Sequence, residues 1–407
     1  MAMSRAYLDY NASAPLRNEV REDMLEALGF PGNASSVHGE GRQLRGMVEQ
    51  ARTKVANLIN ADPAGVIFTS GATEAAYLGL TPHISLNGKS RPAERLLVLE
   101  TEHPCVLAGG QFSPDQIDLI PVLQNGLVDL QALHTLLAAH DDKVVMVAVQ
   151  LANSETGVIQ PVAEVAQLVS LHAGYTFCDA VQAAGKIIVD VGDLGVDFLA
   201  LSAHKIGGPQ GVGALVLSHG SLAISPAIRG GSQESNRRGG TENVAAITGF
   251  GTAAHLAAKE VADSDSLSAL RDSLEQRLIP ICAQNGMSSE FRLFGTDVER
   301  LPNTSLMGLG NWKAETALIA FDLQGIAVSS GSACSSAKVA PSHVLKAMGV
   351  SDELAKGAIR VSLGWNSSQR EIDQYVVAFA ELTKRLCKGR KNENQNGSPV
   401  LSGAVGH

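Results

Sequence analysis

The chain has 407 residues, 45% of them hydrophobic, and a formal net charge of −9 at pH 7. It is long enough for a large domain and a smaller one with a substantial core. The absence of an 18-residue uncharged apolar run argues against a membrane span, and the absence of a basic cluster argues against direct nucleic-acid binding. The N-terminus lacks a signal-peptide core. Five cysteines without zinc-type spacing suit a reducing compartment, so we expect a cytoplasmic protein without a metal site.

Short apolar runs along the first half of the chain predict buried strands, at 66–69, 95–100, 144–150, 175–178, 196–201 and 212–217. Helical stretches such as 162–173 alternate with them, which indicates an α/β fold with a largely parallel sheet. The link from Lys205 to residue 212 is too short for a helical crossover, so the run at 212–217 should be antiparallel to its predecessor. Active groups are expected beyond the carboxyl ends of the parallel strands.

The last third of the chain predicts a second, smaller domain. A polar stretch at 263–268 begins a helical region. The last helix is expected to start at Ser368, because Glu371 three residues later completes a capping box. An apolar stripe on this helix predicts ordinary core packing, through Ile372, Val376, Phe379, Leu382 and Leu386. The polar, Gly/Ser-rich end of the chain is predicted to be a disordered tail.

The most informative segment is 199–209, Leu-Ala-Leu-Ser-Ala-His-Lys-Ile-Gly-Gly-Pro. It places Lys205 at the exit of a predicted buried strand, where a desolvated amine loses proton affinity and becomes a nucleophile. Ser202 and His204 flank it as donors to an anion. A lysine able to form a Schiff base beside phosphate donors suits pyridoxal phosphate. The alternative is an ordinary surface lysine after a strand.

A second strand exit carries Asp179, with Gln182 three residues later. A carboxylate there can keep a pyridine nitrogen protonated, so that the ring acts as an electron sink, and Gln182 could reach the phenolic oxygen. The alternative for Asp179 is a helix N-cap. A lysine at the next strand exit, Lys205, favours the cofactor interpretation.

Two further segments place polar groups at the same edge of the sheet. Residues 70–76, Ser-Gly-Ala-Thr-Glu-Ala-Ala, open a helix whose N-terminal N–H groups could bind a phosphate together with the Thr73 hydroxyl. Ser70 or Thr73 could instead simply cap that helix. His103 follows the strand at 95–100, where an imidazole could stack on the ring and move protons, although a lone histidine is more often structural.

The order of these motifs resembles that of cysteine desulfurases of the NifS/IscS type, within the class V aminotransferase fold. The motifs that carry the resemblance lie at 9–12, 32–38, 70–74, 101–103, 153–157, 179–182, 202–205, 238–243, 329–334 and 359–364. The resemblance spans about residues 7 to 388. It implies a fold type I pyridoxal phosphate enzyme, with a mostly parallel seven-stranded sheet in the large domain and a smaller α+β domain. The implied boundaries are 14–257 for the large domain, 1–13 with 258–390 for the small domain, and 391–407 for the tail.

The resemblance also implies a role for each matching residue. Lys205 would hold the cofactor, and His103 would stack on its ring and relay protons. The other implied cofactor contacts are Ala72, Thr73, Ser154, Asp179, Gln182, Ser202 and His204. Thr241 would reach the phosphate in the neighbouring subunit of a homodimer. Arg360 would bind the substrate carboxylate, for which a planar two-pronged donor is suited, with Asn153 beside it.

One position departs from the family pattern. The family usually has two adjacent asparagines where this chain has Asn153 and Ser154. The second asparagine contacts the phenolic oxygen of the cofactor and the substrate region. A serine hydroxyl is shorter than a carboxamide, so we expect a water molecule to complete this contact.

The implied sulfur acceptor is Cys334, in a run of small polar residues that predicts a mobile loop on the small domain. The remaining cysteines are interpreted as packed or incidental: Cys105, Cys178, Cys282 and Cys387. The Ser-Gly-Ser-Ala-Cys form resembles the branch that hands persulfide directly to partner proteins. The sulfur acceptor could be an iron–sulfur scaffold, a protein of tRNA or cofactor thiolation, or a nitrogenase supply system, and Cys334 could serve as a transient cluster ligand.

The resulting hypothesis is the conversion of L-cysteine to L-alanine with a persulfide formed on Cys334. The closest alternative is a selenocysteine lyase or a transaminase on the same fold, for which Cys334 would be dispensable. A non-catalytic scaffold that binds sulfur-accepting proteins is a second alternative. The set formed by Lys205, Asp179 and Cys334 argues against it.

Overall fold

The structure is a computed structural model that describes residues 5–261, 264–310, 312–331 and 342–396. The helices are α1 Asn18–Leu28, α2 Gly39–Leu58, α3 Ala72–Gly79, α4 Pro104–Leu107, α5 Leu130–Ala138, α6 Val162–Leu171, α7 Val191–Leu194, α8 Val244–Glu260, α9 Ser264–Gln284, α10 Ala314–Leu323, α11 His343–Ala347, α12 Asp352–Lys356 and α13 Gln369–Asn396. The strands are β1 Ala6–Tyr7, β2 Val66–Thr69, β3 Ile84–Leu86, β4 Lys89–Ser90, β5 Arg95–Leu99, β6 Ile117–Ile120, β7 Val145–Gln150, β8 Tyr175–Asp179, β9 Phe198–Ser202, β10 Gly213–Leu217, β11 Leu222–Ile224, β12 Phe291–Leu293, β13 Thr304–Leu309, β14 Ile326–Ala327, β15 Ser329–Ser330 and β16 Ile359–Ser362.

A seven-stranded sheet with the order β2-β10-β9-β8-β7-β5-β6 forms the centre of the large domain. The strands β9, β8, β7, β5 and β6 are parallel, whereas β10 is antiparallel to both of its neighbours. The predicted α/β class and the antiparallel strand after Lys205 are therefore confirmed. The six predicted strands all form, and β6 at the sheet edge is the strand that the apolar runs missed.

The central strands are largely apolar up to their carboxyl ends because helices cover both faces of the sheet. In β7, alternate residues enter different apolar clusters: Val147 and Val149 face one side, and Met146 and Ala148 face the other. Helices α1, α2 and α8 pack together on the first side, and α3 packs on the second. This arrangement leaves the polar residues at the carboxyl ends of β7, β8 and β9 at one edge of the sheet.

The small domain is built on an antiparallel sheet with the order β12-β13-β16-β15. The N-terminal strand β1 pairs in parallel with β14, which ties the start of the chain to this domain. Helix α13 begins as predicted, with Glu371 accepting hydrogen bonds from the Ser368 N–H and hydroxyl. Its apolar stripe packs in the core around Trp312 and Phe321, as predicted.

Two of the predicted boundaries fall inside helices. The tail is predicted to begin at residue 391, whereas helix α13 continues to Asn396. Residues 391–396 contain neither Gly nor Pro, and the first strong helix breakers after residue 391 are Gly397 and Pro399. The proposed boundary at residue 257 falls inside the last turn of α8.

In the parts of the chain that the structure describes, no helix has both the length and the apolar character needed to cross a membrane.

Candidate active site

A cavity of about 490 Å³ lies at the carboxyl edge of the seven-stranded sheet, against the N-terminus of α3. Most of the predicted site residues line it: Ala72, Thr73, His103, Ser154, Asp179, Gln182, Ser202, His204, Lys205 and Arg360. They come from segments that are up to 288 positions apart in the chain, between Ala72 and Arg360. The segments of the large domain meet because the carboxyl ends of its parallel strands lie at the same edge, whereas Arg360 comes from the antiparallel sheet of the small domain.

Two predicted residues do not line the cavity, and a third lies outside the described residues. Asn153 does not line the cavity, because its carboxamide donates to the Thr101 carbonyl at 3.1 Å and accepts from the N–H groups of Glu155 and Thr156. We therefore replace its predicted substrate contact with a role in shaping the turn after β7. Thr241 is exposed in the single chain. Cys334 lies outside the described residues.

Lys205 ends the short 3₁₀ turn that follows β9, so the backbone aims its side chain into the cavity. Its Nζ donates to the carbonyl oxygens of Asn11 at 2.6 Å and Ala12 at 2.9 Å. These contacts hold the amine at the strand exit, which is incompatible with the alternative of an ordinary surface lysine. The sequence reasoning gave Asn11 no role, although this residue belongs to the motif at 9–12.

Asp179 is the last residue of β8, and its carboxylate accepts from the Val181 N–H at 2.9 Å. No helix follows it, so the N-cap alternative is wrong. Burial raises the pKa of Asp179, while its hydrogen bond and the nearby His103 and Lys205 lower it. A buried carboxylate of this kind requires a cationic partner to stay ionised. The protonated nitrogen of a pyridine ring meets that requirement.

His103 caps the N-terminus of α4 and uses its Nδ1 atom to do so. Nδ1 accepts from the Cys105 N–H at 3.3 Å and lies 2.9 Å from the Cys105 sulfur. The neutral ring must then carry its proton on Nε2. Burial is the main cause that lowers the pKa of His103. The imidazole is therefore suited to a neutral role at pH 7, and Cys105 becomes a cavity residue that sequence reasoning had set aside.

The N-terminus of α3 lies at the cavity, and a helix N-terminus is suited to bind an anion. Its N-cap residue, Gly71, has φ +155° and makes no side-chain cap, so the alternative in which Ser70 or Thr73 caps the helix does not hold. The first-turn N–H groups remain available to a phosphate. A Cβ on Gly213 would lie 2.7 Å from the Gly71 backbone, which explains a glycine at this close approach.

Burial and the Lys205 cation lower the pKa of His204 to about 4.

Arg360 forms the opposite wall of the cavity, from strand β16 of the small domain. Its Nη1 donates to the Ser154 carbonyl at 3.0 Å and its Nη2 donates to Asp9 at 2.8 Å. The Nε atom is buried without a partner among the described residues. An unsatisfied N–H on a buried guanidinium is suited to an anionic ligand group such as a carboxylate.

The comparisons with known proteins agree with this geometry. The family model for class V aminotransferases matches residues 6–375. The chain is 38% identical over 392 residues to the cysteine desulfurase IscS of Dictyoglomus turgidum, covering 93% of this chain and 95% of the relative. It is also 38% identical over 391 residues to the cysteine desulfurase of Cereibacter sphaeroides, covering 94% and 97%. The chain belongs to the cysteine desulfurase family.

Solved structures of similar proteins share the fold of this cysteine desulfurase. The NifS-like protein of Rickettsia africae superposes with a TM-score of 0.82 at 33% identity, covering 93% of this chain and 99% of that one. A structure of SspA in complex with cysteine superposes with a TM-score of 0.70 at 26% identity, covering 88% and 98%. The predicted class V aminotransferase fold and NifS/IscS-type family are therefore confirmed.

Proposed function

We propose that this enzyme is a pyridoxal phosphate-dependent cysteine desulfurase that converts L-cysteine to L-alanine and transfers the sulfur to Cys334. The observation that carries the proposal is the convergence on one cavity of a lysine, a buried aspartate and an uncapped helix N-terminus. These groups match the aldehyde, the ring nitrogen and the phosphate of the cofactor. The cavity volume of about 490 Å³ is within the range of ligand sites.

The residues that would hold the cofactor follow from this match. Lys205 would bind it covalently, Asp179 would pair with its ring nitrogen, and Gln182 would face its phenolic oxygen. The phosphate would lie between the N-terminus of α3 and the side chains of Thr73, Ser202 and His204. When bound, the cofactor supplies an electron sink for the substrate carbanion.

The substrate L-cysteine would be held by its carboxylate at Arg360, a residue that lines the cavity and whose buried Nε has no partner among the described residues. The similar protein SspA has been solved in complex with cysteine, which supports the same substrate here. A guanidinium fixes a carboxylate in orientation as well as position. Orientation matters because the substrate Cα–H must face the amine that removes its proton.

Proton movement is assigned to two groups on the cavity wall. The Lys205 amine would take the proton from the substrate Cα and return one to the product. Its neighbour His103 holds a proton on Nε2 when neutral, because Nδ1 is engaged with Cys105. His103 would therefore act as a proton relay near neutral pH.

The sulfur-transfer step is assigned to Cys334 from the sequence and the family. The thiolate of Cys334 supplies the electron pair of a new sulfur–sulfur bond. The carbon–sulfur bond of cysteine breaks with its electrons passing to the carbon side, and this carbon takes a proton. The products are alanine and a persulfide on Cys334, so atoms and electrons balance without an added oxidant.

The decisive experiment compares Cys334→Ser with a matched cysteine variant outside the cavity, Cys387→Ser in α13. We expect Cys334→Ser to bind cofactor and cysteine, with a visible spectral change, and to release almost no sulfur. Cys387→Ser should retain turnover, and persulfide mapping of the wild type should find Cys334. Unchanged sulfur release by Cys334→Ser would overturn the proposal in favour of a lyase or transaminase.

The proposal extends to assembly and delivery. The enzyme would act as a homodimer in the cytoplasm, and Thr241 would complete the phosphate site of the neighbouring subunit. The persulfide would pass directly to sulfur-acceptor proteins such as an iron–sulfur scaffold. Transfer of labelled sulfur from Cys334 to a purified scaffold protein tests the delivery step.

A further inference from the structure

A second lysine lies behind the candidate cofactor site. Lys186 is buried, and its Nζ donates to the side-chain oxygen of Gln182 at 2.7 Å and to the side-chain oxygen of Asn11 at 3.0 Å. Gln182 lines the cavity from the other side. Lys186 thus contacts a cofactor-facing side chain and is not among the residues that line that cavity.

Among the described residues, Lys186 meets two hydrogen-bond acceptors and no neutralising charge. The charged groups that act on it are Lys205 and Arg360, both cations, and burial is the largest cause that lowers its pKa well below the usual value. A neutral amine has two N–H bonds, and the two amide oxygens accept both of them. The geometry and the charge environment therefore both fit an uncharged Lys186 that acts as a double donor.

This contact determines which way the Gln182 carboxamide points. Its oxygen accepts from Lys186, and its nitrogen donates to the Asn11 carbonyl at 3.0 Å. The carboxamide nitrogen carries two N–H bonds, so one remains for the cavity. A flipped carboxamide would place its NH₂ against the Lys186 donors and its oxygen against the Asn11 carbonyl. The hydrogen bond to the Asn11 carbonyl would then be lost, and one Lys186 N–H would lack its acceptor.

We propose that Lys186 is a positioning residue that holds Gln182 with an N–H directed at the phenolic oxygen of the bound cofactor. The inference rests on the proposed pyridoxal phosphate site. Lys186 itself touches neither the cofactor nor the substrate; it acts through Gln182. The Asn11 carbonyl joins the same network, since it also accepts from Lys205.

The test is Lys186→Met, which keeps the apolar stem and removes the donors. Without a fixed N–H donor, the phenolic oxygen holds more negative charge, and the proton that it shares with the Lys205 nitrogen is bound more tightly. We expect a pH titration of the visible absorption of the substrate-free holoenzyme to show about a tenfold higher proton affinity. A wild type without visible cofactor absorption would refute the proposed function instead.

A double-mutant comparison separates positioning from a general charge effect. Gln182→Ala should raise the same proton affinity, and adding Lys186→Met to it should cause no further change. Thr383→Val, a buried substitution in α13, is the control for destabilisation and should titrate like the wild type. Lys186→Gln keeps a donor on a shorter side chain, so its proton affinity should rise less than that of Lys186→Met. It replaces Lys186→Met in the test if that variant does not fold. An unchanged titration in the variant that folds, or a shift that persists without Gln182, overturns the inference.

Discussion

Arg360 and Asp9 form an ion pair of 2.8 Å that joins strand β16 to the N-terminal segment at the edge of the cavity. The arginine side chain is 3% exposed and the aspartate side chain 19% exposed. Asp9 neutralises the cation on one side, while Nη1 is held by the Ser154 carbonyl. The guanidinium is therefore held in place by the protein itself, and its buried Nε has no partner among the described residues. Such preorganisation reduces the loss of side-chain conformational entropy on binding.

Arg360→Lys is expected to weaken substrate binding far more than it slows turnover. A lysine offers a single point charge and cannot maintain contacts with Asp9, Ser154 and a carboxylate at once. We expect the KM for cysteine to rise by about 10- to 100-fold, with a smaller change in kcat. Arg300→Lys, which alters a buried ion pair with Glu275, is the matched control and should leave KM unchanged. Equal KM values for both variants would contradict the assignment.

Glu155 gives the protein a specific dependence of stability on pH. Burial raises its pKa to about 7, against the lowering effects of the Ser342 hydroxyl and Arg360. The folded state therefore binds a proton that the unfolded state has lost between pH 4.5 and pH 7. The stability associated with this proton is fully present below pH 4.5 and is lost as the pH rises through 7.

Glu155→Gln removes this titration and keeps an oxygen that can accept from Ser342. Relative to the wild type, the variant should gain about 2 to 3 kcal/mol in its free energy of unfolding between pH 5 and pH 8. Urea unfolding of both proteins at the two pH values measures the difference between their free energies of unfolding. The contributions of titrating groups that both proteins share cancel in this difference. A variant-to-wild-type difference that is the same at pH 5 and pH 8 would disprove a raised pKa for Glu155.

The strands were predictable because most of them are buried on both faces and therefore appear as continuous apolar runs. β6 is the exception: it lies at the sheet edge, where Asp118 is half-buried and Leu119 is exposed, so its run is interrupted. The carboxyl-edge location of Lys205 and Asp179 followed from the same reasoning, since strand exits in a parallel sheet meet.

Side-chain direction within turns was harder to predict. Asn153 and Ser154 are adjacent in sequence, yet Ser154 lines the cavity and Asn153 is buried in bonds to its own turn. Local hydrogen bonding of an asparagine to the backbone two or three residues later decides this, and spacing alone does not reveal it. Cys105 was missed for a related reason, because its place in the cavity depends on the turn that His103 caps.

Cys105 is expected to be unreactive although it lines the cavity. Burial raises the pKa of its thiol to about 12, and the carboxylates of Asp179 and Glu102 act in the same direction. At pH 8 its thiolate fraction should be about a thousandfold below that of an ordinary cysteine. Iodoacetamide labelling followed by peptide mapping should leave Cys105 unmodified, and rapid labelling there would contradict this pKa. A protonated thiol also makes Cys105 a poor rival to Cys334 as the sulfur acceptor.

Thr241 provides a test of whether the site is shared between subunits. It is exposed in the single chain and does not line the cavity of its own chain, although the family resemblance places it at a phosphate. Homodimers of Thr241→Ala should bind the cofactor more weakly, because a hydroxyl donor to the phosphate is lost. Homodimers of Lys205→Ala should be inactive, because no amine is available to bind the cofactor or move the proton.

Mixed dimers of these two variants distinguish action across the interface from action within one chain. If Thr241 acts across it, the chain with intact Lys205 receives a wild-type Thr241 from its partner, and one site per dimer is fully restored. Cofactor affinity at that site should then equal the wild-type value, with about half the activity per dimer. If Thr241 acts within its own chain, the site that retains Lys205 still lacks the hydroxyl and stays weak. Titration of tagged, purified mixed dimers with pyridoxal phosphate therefore decides between a shared site and a self-contained one.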